Sequence, residues 1–156
     1  MKKIILFFLF LFSLIIPNFV IGQSNQDKVK SEISKTLERF YKAAQEGNAE
    51  GIMSLFDSTS KVMFVGGDSA EIWEGTTKIR AHLNAMFPDE KVTLLMNRTD
   101  IDYNQNTAWV FADGQIVITL PTGDPIRGLY RFSAILVKLE NTWKFRLYNG
   151  SNPGSK

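Results

Sequence analysis

The chain has 156 residues with 18 basic and 16 acidic side chains, no cysteine and a single histidine, His82. This length corresponds to one domain, and a domain of this size buries enough surface to fold without disulfide bonds. The missing cysteines exclude zinc sites built on thiolates, and one histidine excludes a multi-histidine metal site within the chain. We therefore expect no metal and no cofactor.

The first 22 residues have the layout of a secretory signal peptide. Two lysines precede an apolar run, Ile4 to Ile16, which Pro17 ends. A membrane-spanning helix, the alternative interpretation, needs about 20 apolar residues, and this stretch approaches that length only by including polar residues and the proline. We expect residues 1–22 to be removed, and the protein to be exported to the bacterial periplasm or secreted, without a membrane anchor.

Removal of this segment changes what the charge implies. It takes away Lys2 and Lys3 and no acidic residue, so that the remaining chain has equal numbers of basic and acidic side chains. A basic surface for nucleic acid or anionic membrane is therefore not expected. Residues 23–156 are predicted to form a single domain.

The mature chain begins with a helical pattern. Ser24 has the spacing of a helix cap, apolar residues then recur at a period of 3.6, and Gly47 is typical of a helix end. Asn48 is a good cap for a second, short helix. A third helix is predicted from Thr76 or Thr77 until the residue before Pro88, since that residue avoids helical geometry.

Strand-like runs make up most of the rest. Turn signals separate them, among them Asn104-Gln105-Asn106 and Glu140-Asn141. The order predicts an α+β domain in which a strongly curved antiparallel sheet carries three N-terminal helices on its concave face. The predicted strands are Lys61–Val65, Glu71–Glu74, Lys91–Tyr103, Asn106–Leu120, Arg127–Glu140 and Thr142–Ser151.

The strands at 107–119 and 127–140 are largely apolar on both faces. One layer of helices covers only one face of a sheet, and a face in water should alternate apolar and polar residues. The second apolar face therefore needs another cover, most simply a second copy of the chain. We expect a homodimer packed through the sheet, stabilised by hydrophobic burial.

Several short motifs carry a family resemblance through their order along the chain. From about residue 27 to residue 153 the chain resembles the nuclear transport factor 2-like superfamily, which has a cystatin-like fold, and within it the SnoaL-like proteins of bacteria. The resemblance implies a cone with a pocket between sheet and helices, a pocket that relatives use for isomerisation, cyclisation, dehydration, binding or assembly. The motifs are Glu38–Ala44 with Gly47-Asn48, Val62–Gly66 with Glu71–Gly75, Ala108–Phe111, Arg131–Lys138 and Trp143–Phe145.

Ketosteroid isomerase, a member of this superfamily, provides a test of the chemistry. Its pocket uses a carboxylate base and holds the oxyanion with a tyrosine and a protonated aspartate. By resemblance the tyrosine position falls on Phe40, beside Tyr41, the base near Phe64 and the acid near Ile135. Apolar side chains cannot exchange protons, so this isomerase mechanism is not expected.

Two residues remain as catalytic candidates. SnoaL-like cyclases use an acidic pocket residue as acid and base, and Asp113 shares strand parity with Trp109 and Phe111. His82, which borders the apolar stripe of the third helix, titrates near neutral pH. The alternatives are a strand-end role for Asp113 and a hydrogen-bonded structural role for His82. Solvated or structural roles are expected for the other acids: Asp57, Asp68, Asp100 and Asp102.

The candidate ligand pocket combines aromatic walls with a few polar groups, as binding pockets do. Parity places Arg131 and Ser133 on the face that carries Ile135, and Asn149 on the face that carries Trp143 and Phe145. Arg131 could hold a carboxylate through two hydrogen bonds. An ion pair with Asp57 or Glu74 is the alternative for Arg131. Core or dimer contacts are the alternative for the tryptophans. The predicted pocket residues are Tyr41, Phe64, Trp73, Trp109, Phe111, Arg131, Ser133 and Asn149.

The sequence thus leads to three hypotheses. The first is an exported homodimer that binds a small, partly apolar ligand without covalent chemistry. The second is an isomerase, dehydratase or cyclase in which Asp113 or His82 is the general acid and base. The third is a protein-interaction module whose sheet or cavity accepts another protein.

Overall fold

The structure is a computed structural model that describes residues 17–59, 61–67 and 70–154. Most of the predicted signal peptide lies outside these residues. A boundary between two compact units falls after Glu32, and the sheet and cavity belong to the unit that begins at Ile33. None of the helices in the described ranges is both long enough and apolar enough to cross a bilayer.

The helices of the described residues are α1 (Pro17–Glu46), α2 (Ala49–Met53) and α3 (Thr76–Met86). Helix α1 begins at Pro17 and not at Ser24, and proline is well tolerated in the first turn of a helix. The other predicted ends are confirmed. Gly47 has a φ of 66°, and the Asn48 side chain accepts a hydrogen bond of 2.7 Å from the Gly51 amide.

One six-stranded sheet, in the order β2-β1-β6-β5-β4-β3, contains every named strand. Its neighbouring strands are antiparallel except β1 and β6, which pair in parallel. The strands are β1 (Met63–Val65), β2 (Ile72–Glu74), β3 (Lys91–Asn104), β4 (Thr107–Thr119), β5 (Pro125–Leu139) and β6 (Thr142–Ser151).

Local irregularities bend the long strands. The register of β3 shifts between Met96 and Arg98, and a β-bulge increases local twist and bends its strand. Gly114 lies opposite, where a Cβ would overlap the carbonyl oxygen of Leu95. The last hairpin turns through Glu140 and Asn141, both with positive φ, as a two-residue type I′ turn requires.

The core lies between the helices and one face of this curved sheet, which we call the inner face. From β4 and β5 it carries Ala108, Val110, Ala112, Tyr130, Phe132, Ala134 and Leu136, all buried. The ring of Phe40 on α1 lies 5.1 Å from that of Phe145 and 5.0 Å from that of Tyr148. The predicted α+β, cone-shaped fold with N-terminal helices is confirmed.

The opposite face, called the outer face, carries the side chains of β4 and β5 that alternate with these buried residues. Trp109 is 48% exposed, and Phe111 and Ile135 are also exposed. Together with Leu147 they line a shallow groove. Both faces of β4 and β5 therefore carry large apolar side chains, as the sequence indicates.

Candidate functional site

A cavity of about 200 Å³ lies between the helices and the inner face, on the side of β3 and β4 that is near the end of α3. Its walls are mainly apolar and aromatic. The apolar lining consists of Phe40, Ala44, Ile52, Phe64, Leu83, Met86, Phe87, Val92, Leu94, Ile116 and Ile118. The polar lining consists of Glu71, His82, Glu90, Tyr130, Tyr148 and Asn152.

Two tyrosines place hydroxyl groups in this cavity wall. Tyr130 on β5 and Tyr148 on β6 both point to the inner face, and their hydroxyl oxygens are 2.9 Å apart. Burial raises the pKa of Tyr130 to about 12, against an opposing effect of the hydrogen bond with Tyr148. Burial also raises the pKa of Tyr148 well above its usual value. Both hydroxyls are therefore protonated at neutral pH, and the pair keeps one hydrogen for a further acceptor.

His82 on α3 is held against an aromatic ring. Its imidazole stacks on Trp73 with ring centres 3.6 Å apart and planes inclined by 14°. Burial lowers the pKa of His82, and the charge of Glu71 acts in the opposite direction. The imidazole is therefore mainly neutral at pH 7, so that one ring nitrogen can accept a hydrogen bond or a proton.

Three polar groups of the wall lie against glycines. A Cβ at Gly66 would overlap the carboxylate of Glu71, and one at Gly67 would overlap the side-chain amide of Asn152. A Cβ at Gly150 would overlap the hydroxyl of Tyr130. The missing side chains leave the space that these polar groups occupy.

Some of the residues predicted from the sequence do lie here. Phe64 and His82 line the cavity, and the ring of Trp73 stacks on that of His82. Tyr41 lies beside the cavity, with its ring edge-on to Phe40 and Phe132. Burial raises the pKa of Tyr41 to about 12, and the Thr99 side chain acts in the opposite direction.

The remaining candidates lie on the outer face, and their predicted placement in the cone is wrong. Trp109, Phe111, Arg131 and Ser133 alternate with the buried residues of β4 and β5 and are exposed. Asn149 is exposed too and pairs with Ser133 across the strands. On β4 and β5 the alternation was interpreted correctly, but the helices cover the other set of side chains.

The catalytic prediction for Asp113 fails for the same reason. Its carboxylate accepts a hydrogen bond of 2.6 Å from Nε of Arg131, and both side chains are about half exposed. The partner of Arg131 is thus Asp113 and neither Asp57 nor Glu74. Asp57 forms a buried ion pair with Arg146 instead.

Several cavity residues were not found from the sequence. Tyr130 could have been found, because it shares strand parity with Phe132 and Ala134. Tyr148 is displaced from the expected parity by a register shift opposite Ile135 and Leu136. Glu71, Glu90 and Asn152 lie outside the strands and helices, where no periodic signal marks them.

The arrangement supports hydrogen bonding and proton transfer. A neutral imidazole, protonated tyrosine hydroxyls and carboxylates meet a mainly apolar space. Within the described ranges no group of three or more His, Cys, Asp or Glu side chains could hold a metal ion.

Solved structures share this fold at low sequence identity. A nuclear transport factor 2-like protein from Streptomyces avermitilis, provisionally described as a dehydratase, has a TM-score of 0.74 at 16% identity over 83% of this chain and 99% of its own. A protein of the nuclear transport factor 2-like superfamily from Salmonella enterica serovar Typhimurium has a TM-score of 0.74 at 18% identity, over 84% of this chain and 95% of its own. A protein with a cystatin-like fold from Novosphingobium aromaticivorans has a TM-score of 0.71 at 12% identity, over 92% of this chain and 94% of its own.

At sequence identities this low, the similarity to these structures shows a shared fold and nothing further. No curated protein matches the sequence. The sequence profile of the SnoaL-like domain matches residues 33–155, most of the chain and the whole of the sheet and cavity. The chain therefore belongs to the SnoaL-like domain family.

Proposed function

We propose that this protein binds a small, partly apolar molecule in the cavity between α3 and the inner face. The observation that carries this proposal is the composition of the wall: aromatic and aliphatic side chains surround the Tyr130–Tyr148 hydroxyl pair and His82. Apolar walls with a few placed polar groups are typical of small-molecule sites. A space of about 200 Å³ limits the guest to one or two rings or a short chain.

The test begins with native mass spectrometry of the protein purified from its own host, which reports any retained small molecule. The recovered molecule is then titrated against two variants. Ile116→Trp places a large ring in the cavity and should abolish binding, whereas Arg131→Ala, on the outer face, should leave it unchanged. Binding that survives Ile116→Trp, or that disappears in Arg131→Ala, would overturn the proposal.

A second candidate function is general acid–base catalysis by His82. The observation in its favour is that a neutral imidazole and a hydroxyl that can donate line the same apolar cavity. His82 could take a proton from carbon while a tyrosine hydroxyl donates to an oxygen of the same molecule. The provisional dehydratase description of the Streptomyces avermitilis structure is compatible with such chemistry.

Catalysis is separated from binding by His82→Gln, which keeps a polar group against Trp73 but cannot act as a base at neutral pH. An enzyme should lose turnover of the recovered molecule while it still binds it. If the wild-type protein leaves that molecule chemically unchanged, this candidate is rejected. Asp113 cannot take this role, since it lies on the outer face in an ion pair with Arg131.

We also propose a homodimer through the outer face. Exposed Trp109, Phe111 and Ile135 form an apolar surface, and contiguous surfaces of this kind are typical of interfaces. In sedimentation equilibrium Ile135→Lys should convert a dimer to a monomer. Ile72→Lys, which replaces an exposed isoleucine of β2, should not. A monomeric wild-type protein would contradict the proposal, and an interaction with another protein would then be the alternative use of this surface.

Export is proposed on the layout of residues 1–22. N-terminal sequencing of the protein from its host should begin at or near residue 23, in the periplasmic or extracellular fraction. An intact N-terminus in the cytoplasm would contradict it.

A further inference from the structure

The charged groups of the cavity wall all have one sign. Glu71 and Glu90 contribute carboxylates, and none of the described residues that line the cavity is lysine or arginine. We propose, building on the function proposed above, that the cavity selects an organic ammonium ion carried on a small apolar or aromatic body, and that it rejects carboxylates. The earlier expectation of a carboxylate held by Arg131 is thereby replaced.

The charge of Glu71 reaches the interior of the cavity. It acts on the imidazole of His82 and on the hydroxyl of Tyr130, which come from α3 and β5 respectively. The carboxylate itself lies over Gly66, where any side chain would displace it. A cation between these elements would therefore experience the same negative field.

An anion in this cavity would meet mainly apolar walls and two carboxylates, and no lysine or arginine is among the described lining residues. A buried unpaired charge is costly, so the wall disfavours an anionic guest.

An arginine in a neighbouring groove does not reverse this argument. Arg127 belongs to a neighbouring groove that shares Ile116, Ile118 and Asn152 with the cavity, and its side chain is exposed. Water and salt screen an exposed charge much more than a buried one. The cavity therefore keeps its negative sign.

Three probes of matched shape test the selectivity: 2-phenylethylamine, 2-phenylethanol and phenylacetate, titrated by ligand-observed and protein-observed NMR. We expect the ammonium to bind about tenfold more tightly than the alcohol, a difference within reach of a charge-assisted hydrogen bond to a carboxylate, and phenylacetate not to bind. Equal affinities of ammonium and alcohol would overturn the charge selectivity but leave small-molecule binding in place. Tightest binding of phenylacetate would overturn it as well.

Charge-neutral variants locate the effect. Glu71→Gln and Glu90→Gln should each reduce the affinity for 2-phenylethylamine several-fold and leave that for 2-phenylethanol unchanged. The matched control, Glu74→Gln, removes an exposed carboxylate of β2 outside the wall and should change neither. An ammonium preference that persists in both cavity variants would overturn the inference. Failure of all three probes would do so too, while the Ile116→Trp experiment with the recovered molecule assesses the proposed function separately.

Discussion

The inner and outer faces of the sheet are made from alternating residues of the same strands, yet they have opposite physical character. On β5 the inner residues Tyr130 and Phe132 are buried, while their neighbours Arg131 and Ser133 are exposed. Inner polar groups are neutral hydroxyls that bond each other, whereas the outer face carries the Arg131–Asp113 ion pair. The covering layer of helices, more than residue type, determines what each group can do.

The largest difference between the faces should appear when a phenylalanine is truncated. Phe145 is 0% exposed and packs against Phe40 and Phe56, so Phe145→Ala should lower the free energy of unfolding by about 3–5 kcal/mol. Phe111 is 37% exposed, and Phe111→Ala should cost about 1 kcal/mol or less in a monomer. Urea denaturation measures both.

Equal losses for the two variants at low protein concentration would contradict this comparison of the faces. A loss for Phe111→Ala that depends on protein concentration has a different meaning. It would show that the outer face is buried in a dimer, because dimer stability includes mass action.

Ion pairs of the same chemistry allow a second comparison. The Asp57 side chain is fully buried, binds Arg146 and accepts a hydrogen bond of 2.9 Å from the Thr59 amide. Asp57→Ala should destabilise the fold by about 3 kcal/mol, the lower end for a broken buried pair, since Arg146 is itself about a third exposed. Asp113→Ala breaks an exposed pair and should cost about 0–1 kcal/mol.

Thermal and urea unfolding at low and high salt distinguish the two pairs further. Salt should reduce the small effect of Asp113→Ala and leave the effect of Asp57→Ala nearly unchanged. A cost for Asp113→Ala that matches or exceeds that of Asp57→Ala would contradict the assignment of buried and exposed pairs.

Local signals in the sequence predict the elements well and the faces poorly. Caps and turns such as Asn48, Gly47 and Glu140-Asn141 depend on neighbouring residues alone, and the structure confirms them. The choice between faces depends on which side the helices cover. Trp109 and Phe111 have more apolar surface than Ala108 and Ala112. Side-chain size therefore favoured the face that the structure leaves exposed.

Strand irregularity explains the other failures of placement. Along β6, Trp143 and Phe145 are buried, but after the register shift Tyr148 is buried and Asn149 is exposed. A one-residue shift of this kind exchanges the faces of all residues beyond it. Parity counted from Trp143 therefore assigned Asn149 to the wrong face, and loop residues such as Glu71 have no parity at all.

Glycines on β5 and β6 give a third, smaller comparison. A Cβ at Gly150 would overlap the Tyr130 hydroxyl, whereas one at Gly128 would meet its nearest neighbour, Cγ2 of Ile116, at 3.9 Å. Gly150→Ala should cost about 1–3 kcal/mol by overpacking and separate the two tyrosine hydroxyls. Gly128→Ala should be neutral or stabilising by about 0.4–1 kcal/mol.

Absorbance titration of tyrosinate reports the same change. The Tyr130 hydroxyl, with its pKa raised to about 12 by burial, should ionise at lower pH in Gly150→Ala because the ring must move toward solvent. An unchanged titration together with unchanged stability would show that Gly150 is not needed for the hydroxyl pair.

The smallest effect concerns His82, which NMR can follow without assignment because it is the only histidine. Burial lowers its pKa, so its midpoint should lie below the value of about 6.5 for an unfolded chain. The folded protein then binds the proton less readily than the unfolded chain does, and stability is lost as pH falls below about 6.5 toward the folded pKa.

Glu71→Gln should lower the midpoint further, because the carboxylate opposes the effect of burial, and the control Glu74→Gln should leave it in place. A midpoint that rises in Glu71→Gln would mean that the carboxylate does not face the imidazole, and the two polar groups would then no longer belong to one cavity.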